Sequence, residues 1–278
     1  MSKCKVCGTI GTENVCPVCG TPREIKSASG QSVDNPVYVN PEEERVKVIE
    51  RCKKSVAKVL VQNEDGSSCH GTGWCGYPNF IITNAHVVVS TNGCADCIRC
   101  EFLNAQGERN NTLVLMKPVY VSPIDDIAIL IPFNRSLPST VVPLEISKVP
   151  TKQGETVFTI GNPEHYNFNY ISGEVSNPTY FPQGNITGPY GSLQTTITLN
   201  GGNSGGPVFN SKGLVVGMAT FSELKKEIRE ELDLNNFLMG EESRKIIDVK
   251  EIHGYGFCVK SEAILDAIEI AKSKMGDK

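Results

Sequence analysis

The stretch that most constrains this chain is Asn200-Gly201-Gly202-Asn203-Ser204-Gly205-Gly206-Pro207. Glycine adopts positive φ without a Cβ penalty and lets the backbone approach a ligand closely. A serine set among glycines can therefore sit on a tight, strained turn with its hydroxyl exposed. In such a turn the N–H groups of Gly202 and Ser204 can point at one spot, where an oxyanion would form. Taken alone, the stretch reads equally well as a glycine-rich β-turn. Two other segments bear on the choice. Thr83-Asn84-Ala85-His86-Val87-Val88 lies upstream, and Asp125-Asp126-Ile127-Ala128-Ile129-Leu130 lies between. The chain order His86, Asp126, Ser204 is one in which a nucleophile, its base and the acid that orients the base are known to occur.

Further segments fall in the same order: Gly71-Thr72-Gly73-Trp74, Ile160-Gly161-Asn162-Pro163, Ser172-Gly173-Glu174-Val175-Ser176, Gln194-Thr195 and Gly254-Tyr255-Gly256-Phe257. Together they resemble the trypsin-like (chymotrypsin-fold) serine proteases, in the HtrA/Deg-type branch, from about Val46 to Lys274. The resemblance implies an all-β fold of two six-stranded antiparallel barrels and a serine endopeptidase acting on protein or peptide substrates. It implies Ser204 as nucleophile, His86 as base, Asp126 as the acid that fixes the imidazole, and the Gly202 and Ser204 N–H groups as oxyanion hole. Asp125 competes with Asp126 by proximity, but the family's acid directly precedes Ile-Ala. Alignment around Ser204 further implies Thr198 at the base of the primary specificity pocket, with Thr220, Phe221 and Ser222 along its wall. Thr220 is also expected to bond Asp126. No acid lies at that base, so small or medium uncharged side chains are expected rather than Arg or Lys. Asn203 stands where digestive relatives carry an acid that pairs with a freshly cut N-terminus, so that activation switch is not implied. Gly201 stands where the family commonly has proline, which could leave the oxyanion loop loose until substrate or an activator orders it. No PDZ-like module is expected after the last helix.

The 278 residues carry a formal charge of -4, which does not suit a general nucleic-acid binder. No window approaches ~18 consecutive apolar residues, so no membrane-spanning helix is expected. Met1-Ser2-Lys3-Cys4 opens without an apolar signal region. A cytoplasmic, reducing setting follows as the expectation, in which the 11 cysteines serve as ligands or free thiols rather than disulfides.

Four of them form Cys4-Lys5-Val6-Cys7-Gly8 and Cys16-Pro17-Val18-Cys19-Gly20. A CxxC turn brings two thiolates to one tetrahedral ion, and two such turns resemble a short zinc ribbon. So short a unit cannot bury a core, so structural zinc at Cys4, Cys7, Cys16 and Cys19 would hold it folded. Cys94, Cys97 and Cys100 repeat the spacing as CxxCxxC. They could make a second zinc site with Cys69, His70 or Cys75 as fourth ligand, but Cys97 and Cys100 would face opposite ways on a regular strand. Free thiols or a reducible bond are the other readings.

The expected organisation is a ribbon over 1–22, a linker over 23–41 and a protease domain over 42–278. Within the last, a helix from Glu42 to Lys54 leads in, the barrels cover about 56–133 and 141–260, and a helix over 261–274, capped by Ser261, closes the chain. Leu224, Ile228 and Leu232 at helical spacing predict a surface helix from Glu223 to Asp233, inside an insertion over about 223–253. That insertion and the ribbon are where a protein activator could dock. Two alternatives stand beside the protease: a zinc-ribbon adaptor whose protease fold only binds, and a redox or metal sensor built on the extra cysteines.

Overall fold

The computed structural model describes the chain apart from residues 1, 12–14, 17, 22–39, 64, 91–92, 96, 134–135, 165, 182–187, 233–243 and 277–278. For residues 2, 11, 90, 93–94, 110–111, 223–232 and 244–253 it describes the backbone alone. The chain divides into two compact units, Met1–Lys47 and Val48–Lys278. Most of the expected linker lies outside the described residues.

In the first unit, β1 (Ser2–Lys3) pairs antiparallel with β2 (Ile10–Gly11). The two CxxC turns are built alike. Gly8 N–H donates to Cys4 O at 3.0 Å and Gly20 N–H to Cys16 O at 2.8 Å. Both glycines hold a positive φ, 76° and 69°, the left-handed geometry that closes such a turn at least cost.

Helix α1 (Pro41–Lys53) starts with Glu42, Glu43 and Glu44 and ends with Arg51 and Lys53, charges that complement the helix dipole. The first barrel then closes from β3 (Val56–Gln62), β4 (Ser68–Tyr77), β5 (Phe80–Thr83), β8 (Cys97–Leu103), β9 (Arg109–Ser122) and β10 (Ile127–Pro132). Its neighbours run β10-β5-β4-β3-β8-β9. Short helix α2 (Ala85–Val88) and the small ribbon of β6 (Val89–Ser90) and β7 (Gly93–Cys94) sit between β5 and β8. The second barrel closes in the order β11-β12-β13-β16-β15-β14. Its strands are β11 (Thr156–Gly161), β12 (Asn169–Tyr180), β13 (Ser192–Thr195), β14 (Pro207–Asn210), β15 (Val215–Leu232) and β16 (Arg244–Lys260). The expected two-barrel fold is therefore present. It starts its second barrel at Thr156, because residues 141–147 bridge the barrels instead: Leu144 N–H donates to Cys75 O and Ser147 N–H to Val215 O, both at 2.8 Å.

Apolar alternation fills three cores. Ala57, Val59, Ile81, Phe102 and Leu130 fill the first barrel, and Val157, Leu193, Ile197 and Val208 the second. The third lies between the barrels, where Trp74, Ile129, Phe158 and Phe209 meet the last helix, α3 (Ser261–Met275). Ala263, Ile264, Ala267, Ile268 and Ala271 form its buried stripe, at helical spacing. Gly276, at φ 79°, ends the helix as a left-handed cap. Ser261 lies inside this helix, one residue after the N-cap Lys260, and its hydroxyl donates to Glu262.

The helix expected over 223–233 is absent. Residues 223–232 continue β15 and pair with β16, from Leu224↔His253 to Leu232↔Arg244. The ambiguity was in the spacing. Leu224, Ile228 and Leu232 lie four apart, and four is both close to one helical turn and two strand periods. The partner stretch Arg244-Lys245-Ile246-Ile247-Asp248-Val249 carries β-branched residues suited to a sheet. Sheet pairing overrides local helix propensity.

Phe209 is fully buried with its ring stacked on Phe158, centroids 4.9 Å apart. Phe209→Ala is expected to cost about 3–5 kcal/mol in urea unfolding, against less than about 1 kcal/mol for Leu113→Ala at the exposed face of β9.

Candidate active site

His86 leaves the first barrel on α2, directly after β5. Its helix neighbours Ala85, Val87 and Val88 are buried, which anchors the turn and leaves the imidazole half exposed. Asp126 ends the turn before β10 at φ 53°, a left-handed conformation that aspartate tolerates better than most residues. Asn84 holds it there by donating Nδ2–H to the Asp126 carbonyl at 2.9 Å. The carboxylate then faces His86. Nδ1 lies 2.8 Å from Oδ2 and 3.1 Å from Oδ1, and the His86 backbone N–H donates to Oδ1 at 3.0 Å. Asp125, the competing residue, is a turn residue that accepts from the Ser122 hydroxyl at 2.7 Å.

Ser204 comes from the second barrel, on the turn between Leu199 and β14. The turn's glycines are required by what lies against them. A Cβ on Gly202 (φ 93°) would stand 2.1 Å from the Asn162 carbonyl, and one on Gly205 (φ 83°) 2.1 Å from the Thr72 carbonyl. Asn203, Gly205 and Gly206 donate their N–H groups to Asn200, Ala219 and Asn203 carbonyls. Among the described residues, the Gly202 and Ser204 N–H groups donate to no protein acceptor. Two backbone N–H groups at the serine are thus without a protein acceptor among the described residues. The Ser204 hydroxyl donates to the Thr220 carbonyl at 3.1 Å, and among the described residues it makes no bond to His86.

The turn is clamped by the first barrel. Thr72 N–H donates to Ser204 O at 2.8 Å, and its hydroxyl donates to Gly202 O at 2.7 Å. The same hydroxyl accepts from Asn162 N–H at 2.9 Å and Asn162 Nδ2 at 3.2 Å. His70 reaches the Asn162 carbonyl at 3.1 Å, and Glu164 N–H holds the Gly201 carbonyl at 3.1 Å.

A cavity of about 550 Å³ opens beside these groups, lined by His86, Asp126, Leu199, Gly201, Ser204, Thr220, Phe221 and Ser222 among others. Thr220, Phe221 and Ser222 line this cavity. Thr198 does not: it is exposed and outside the cavity, and buried Leu199 takes its place at the wall. One residue of strand-like alternation separates the two. Thr220 likewise does not bond Asp126; Asn84 Nδ2 spans the two, reaching Thr220 Oγ1 at 3.2 Å. Thr72, Asn84 and Asn162 all lie in segments that the sequence marks, yet nothing there assigns them a role, and His70 reads only as a candidate zinc ligand. His165 lies outside the described residues.

Cys4, Cys7, Cys16 and Cys19 converge, with all four sulfurs within 4.8 Å of one another. Cys4 and Cys19 sulfurs are 3.5 Å apart and Cys7 and Cys16 3.4 Å, too long for disulfides. A tetrahedral ion with sulfurs at about 2.3 Å would set them about 3.8 Å apart, so the cluster fits one ion. Desolvation raises the Cys16 thiol, but the N–H groups of Cys19 and Val18 and the sulfurs of Cys7 and Cys19 together bring it down to about 5. Cys97 and Cys100 do not converge. Cys100 is buried in the first barrel's core, while Cys97 on the opposite face of β8 is half exposed. The Cys94 side chain lies outside the described residues. Burial raises the Cys100 thiol and pushes Cys75 up to about 12. Those are packed thiols, unsuited to ligation.

Comparison with known proteins matches the trypsin-like peptidase domain to residues 71–218. A "Probable periplasmic serine endoprotease DegP-like" of Pseudomonas putida (strain GB-1) is 33% identical over 146 residues, covering 50% of this chain and 26% of that protein. "Protease Do-like 5, chloroplastic" of Arabidopsis thaliana is 30% identical over 190 residues, covering 65% and 57%. The chain thus spans about a quarter to somewhat over half the length of these relatives. In fold it is similar to a serine endoprotease from Yersinia pestis, with a TM-score of 0.57 at 21% identity over 85% of this chain and 68% of that one.

Thr72→Val keeps the side chain's shape but leaves Asn162 N–H and Gly202 C=O without this partner. The change is expected to cost about 1–3 kcal/mol in urea unfolding, with Thr72→Ser recovering most of it.

Proposed function

Because the chain belongs to the trypsin-like peptidase domain family, we propose that it is a serine endopeptidase working through His86, Asp126 and Ser204. The observation that carries this reading is the pairing of His86 Nδ1 with Asp126 beside a serine turn holding two unspent N–H donors. Asp126 accepts from Nδ1–H and so leaves Nε2 as the basic nitrogen facing the cavity. The Ser204 hydroxyl rotates from the Thr220 carbonyl to Nε2 and gives up its proton as Oγ attacks the scissile carbonyl. The Gly202 and Ser204 N–H groups receive the developing oxyanion. His86 then returns the proton to the leaving amine, and a water attacks the acyl-enzyme by the same route.

Leu199 and Phe221 give the cavity an apolar wall beside Ser222, and the acid that lines it, Asp126, is turned to His86, which favours small or medium uncharged side chains at the cleaved position. Four thiolate ligands without an oxygen or nitrogen donor suit zinc in a structural role. Val6 and Val18, 72% and 70% exposed at the tips of the two CxxC turns, make the ribbon the place where a protein activator would dock. The ten described cysteines carry no disulfide, which fits a reducing compartment such as the cytoplasm.

Two measurements test the reading. A fluorophosphonate probe is expected to label the wild type and not Ser204→Ala, and Asp126→Asn is expected to lower kcat on a peptide substrate roughly 10⁴-fold. If the probe labels neither chain, even with cell extract added, the fold serves as a binding module and the adaptor reading takes over. For the metal, a strong chelator is expected to release one zinc per chain and unfold the ribbon. It should leave the thermal midpoint of the barrels in place, because their cores contain no ligand cysteine.

A further inference from the structure

Alternation sends Val59, Ile98, Cys100, Val114 and Met116 into the first barrel's core, so the residues between them face outward. The pairing register lays these outward side chains in rows. Leu60 on β3 stands opposite Arg99 on β8, and Arg99 opposite Leu115 on β9. In the next row Lys58 stands opposite Glu101, and Glu101 opposite Leu113. Phe133, just past β10, is tied beside them by its N–H bond to the Leu115 carbonyl at 2.8 Å, with the Lys117 ammonium 5.6 Å from its ring centroid. Leu113, Leu115 and Phe133 are 38%, 41% and 53% exposed. With half-buried Leu60 they form a patch rather than scattered single residues. Charge on this face is mostly of one sign. Lys58, Arg99, Arg109 and Lys117 stand against one acid, Glu101, which is buried and gripped by two nitrogens of Arg109 at 2.9 Å. Four cations against one acid leave a net of three positive charges, on a chain whose formal charge is -4. The acids of the turns at its ends, Asp65 and Glu108, accept from Ser67 and Asn104 within those turns.

An apolar patch set among cations calls for an occupant that carries apolar and acidic side chains together. The chain itself contains such a stretch. Between Arg229 and Arg244, residues 230–242 hold five acids (Glu230, Glu231, Asp233, Glu241 and Glu242) and no cation. The same residues hold five large apolar side chains: Leu232, Leu234, Phe237, Leu238 and Met239. Residues 233–243 lie outside the described residues, and it is the sequence of the stretch that matches. We propose that the outer face of the first barrel is a self-association surface, and that its occupant is the 230–242 segment of a second copy of this chain. Each copy carries one face and one segment, so two copies can exchange them reciprocally about a two-fold axis. The apolar side chains supply the burial, and the opposed charges set register and orientation. The pairing is independent of the protease reading, since none of the face residues lines the catalytic cavity.

The test is an exchange of charge, read by sedimentation velocity on the full chain. The wild type is expected to shift from one chain toward two as its concentration rises from about 1 to about 100 µM, the range of a small interface. Arg99→Glu with Lys117→Glu reverses the face. Glu230→Lys, Glu231→Lys and Asp233→Lys together reverse the segment. Either variant alone sets like charges against each other and should lose the dimer throughout that range. Mixed in equal amounts, the two variants offer opposite charges at both contacts, and the two-chain species should return. That return is also the control for folding. Excess free 230–242 peptide should dissociate the wild-type dimer, a measurement that needs no change in the protein. A wild type that stays monomeric, reversed variants that still pair, a mixture that does not, or a dimer indifferent to the peptide overturns the proposal. Fluorescence anisotropy of a labelled 230–242 peptide then says what covers the face instead. Binding to the segment-reversed variant but not to a monomeric wild type means that the segment folds back on its own copy. Binding to neither gives the face to a different protein, and both results overturn the pairing of copies.

Discussion

The serine turn is held in shape by one threonine of the other barrel. The Thr72 hydroxyl has one proton to give and two lone pairs to offer, and all three are used: Gly202 O accepts, and Asn162 N–H and Nδ2–H donate. The residue is fully buried, so none of these bonds competes with water. Its own N–H takes the Ser204 carbonyl and its own carbonyl takes the Thr83 hydroxyl at 2.7 Å, which ties the turn to β5, the strand directly before the short helix of His86. Ser204 and His86 come from different barrels, and this contact joins the two. It also explains two glycines. The Thr72 and Asn162 carbonyls occupy the places where side chains on Gly205 and Gly202 would go.

The same frame orients the Gly201–Gly202 peptide. A trans peptide points its C=O and N–H in opposite directions. Glu164 N–H holds the Gly201 carbonyl on one side of the Gly201–Gly202 peptide, so the Gly202 N–H is turned to the other. Glycine at position 201 would otherwise let this peptide flip at small cost. The backbone bond from the 162–168 segment supplies the restraint that a proline would have built into the chain. Asn162 anchors that segment in turn: its Oδ1 accepts from Phe168 N–H at 3.1 Å and its Nδ2 reaches Ala57 O at 3.2 Å. Asn203, which replaces the acid of the digestive enzymes, is fully buried, and among the described residues neither end of its amide has a partner.

Much of this was legible in the chain because the signals were redundant. The two barrels came with the family resemblance, and His86, Asp126 and the serine turn each sit in a segment that carries it. The ribbon follows from two identical turns. What failed had one signal with two meanings. The four-residue spacing of Leu224, Ile228 and Leu232 fits helix and strand alike, and only pairing with 244–253 decides. Thr198 and Leu199 are neighbours on an extended segment, so an alignment right to within one residue still puts Thr198 at the pocket base while Leu199 lines the cavity. Thr72, Asn84 and Asn162 were unreadable for a different reason. They act through hydrogen bonds to residues far along the chain, and nothing local marks such a partner.

The cysteines make the same point about composition. Eleven in one chain look like a single resource, yet the fold gives them opposite electrostatics. In the ribbon, backbone N–H groups stabilise negative charge on Cys4 and Cys16, which is why Cys16 falls to about 5 despite desolvation, while the sulfurs of Cys7 and Cys4 hold Cys19 up. In the barrels, burial is the largest influence and acts the other way, so Cys258 rises to about 12 and stays a neutral, packed thiol. The difference follows from backbone conformation. A CxxC turn aims successive N–H groups at one sulfur, whereas in a β-ladder those donors are already spent on the neighbouring strand. Spacing alone therefore cannot mark a metal site: Cys97 and Cys100 have the same interval as Cys4 and Cys7, but they lie on a strand.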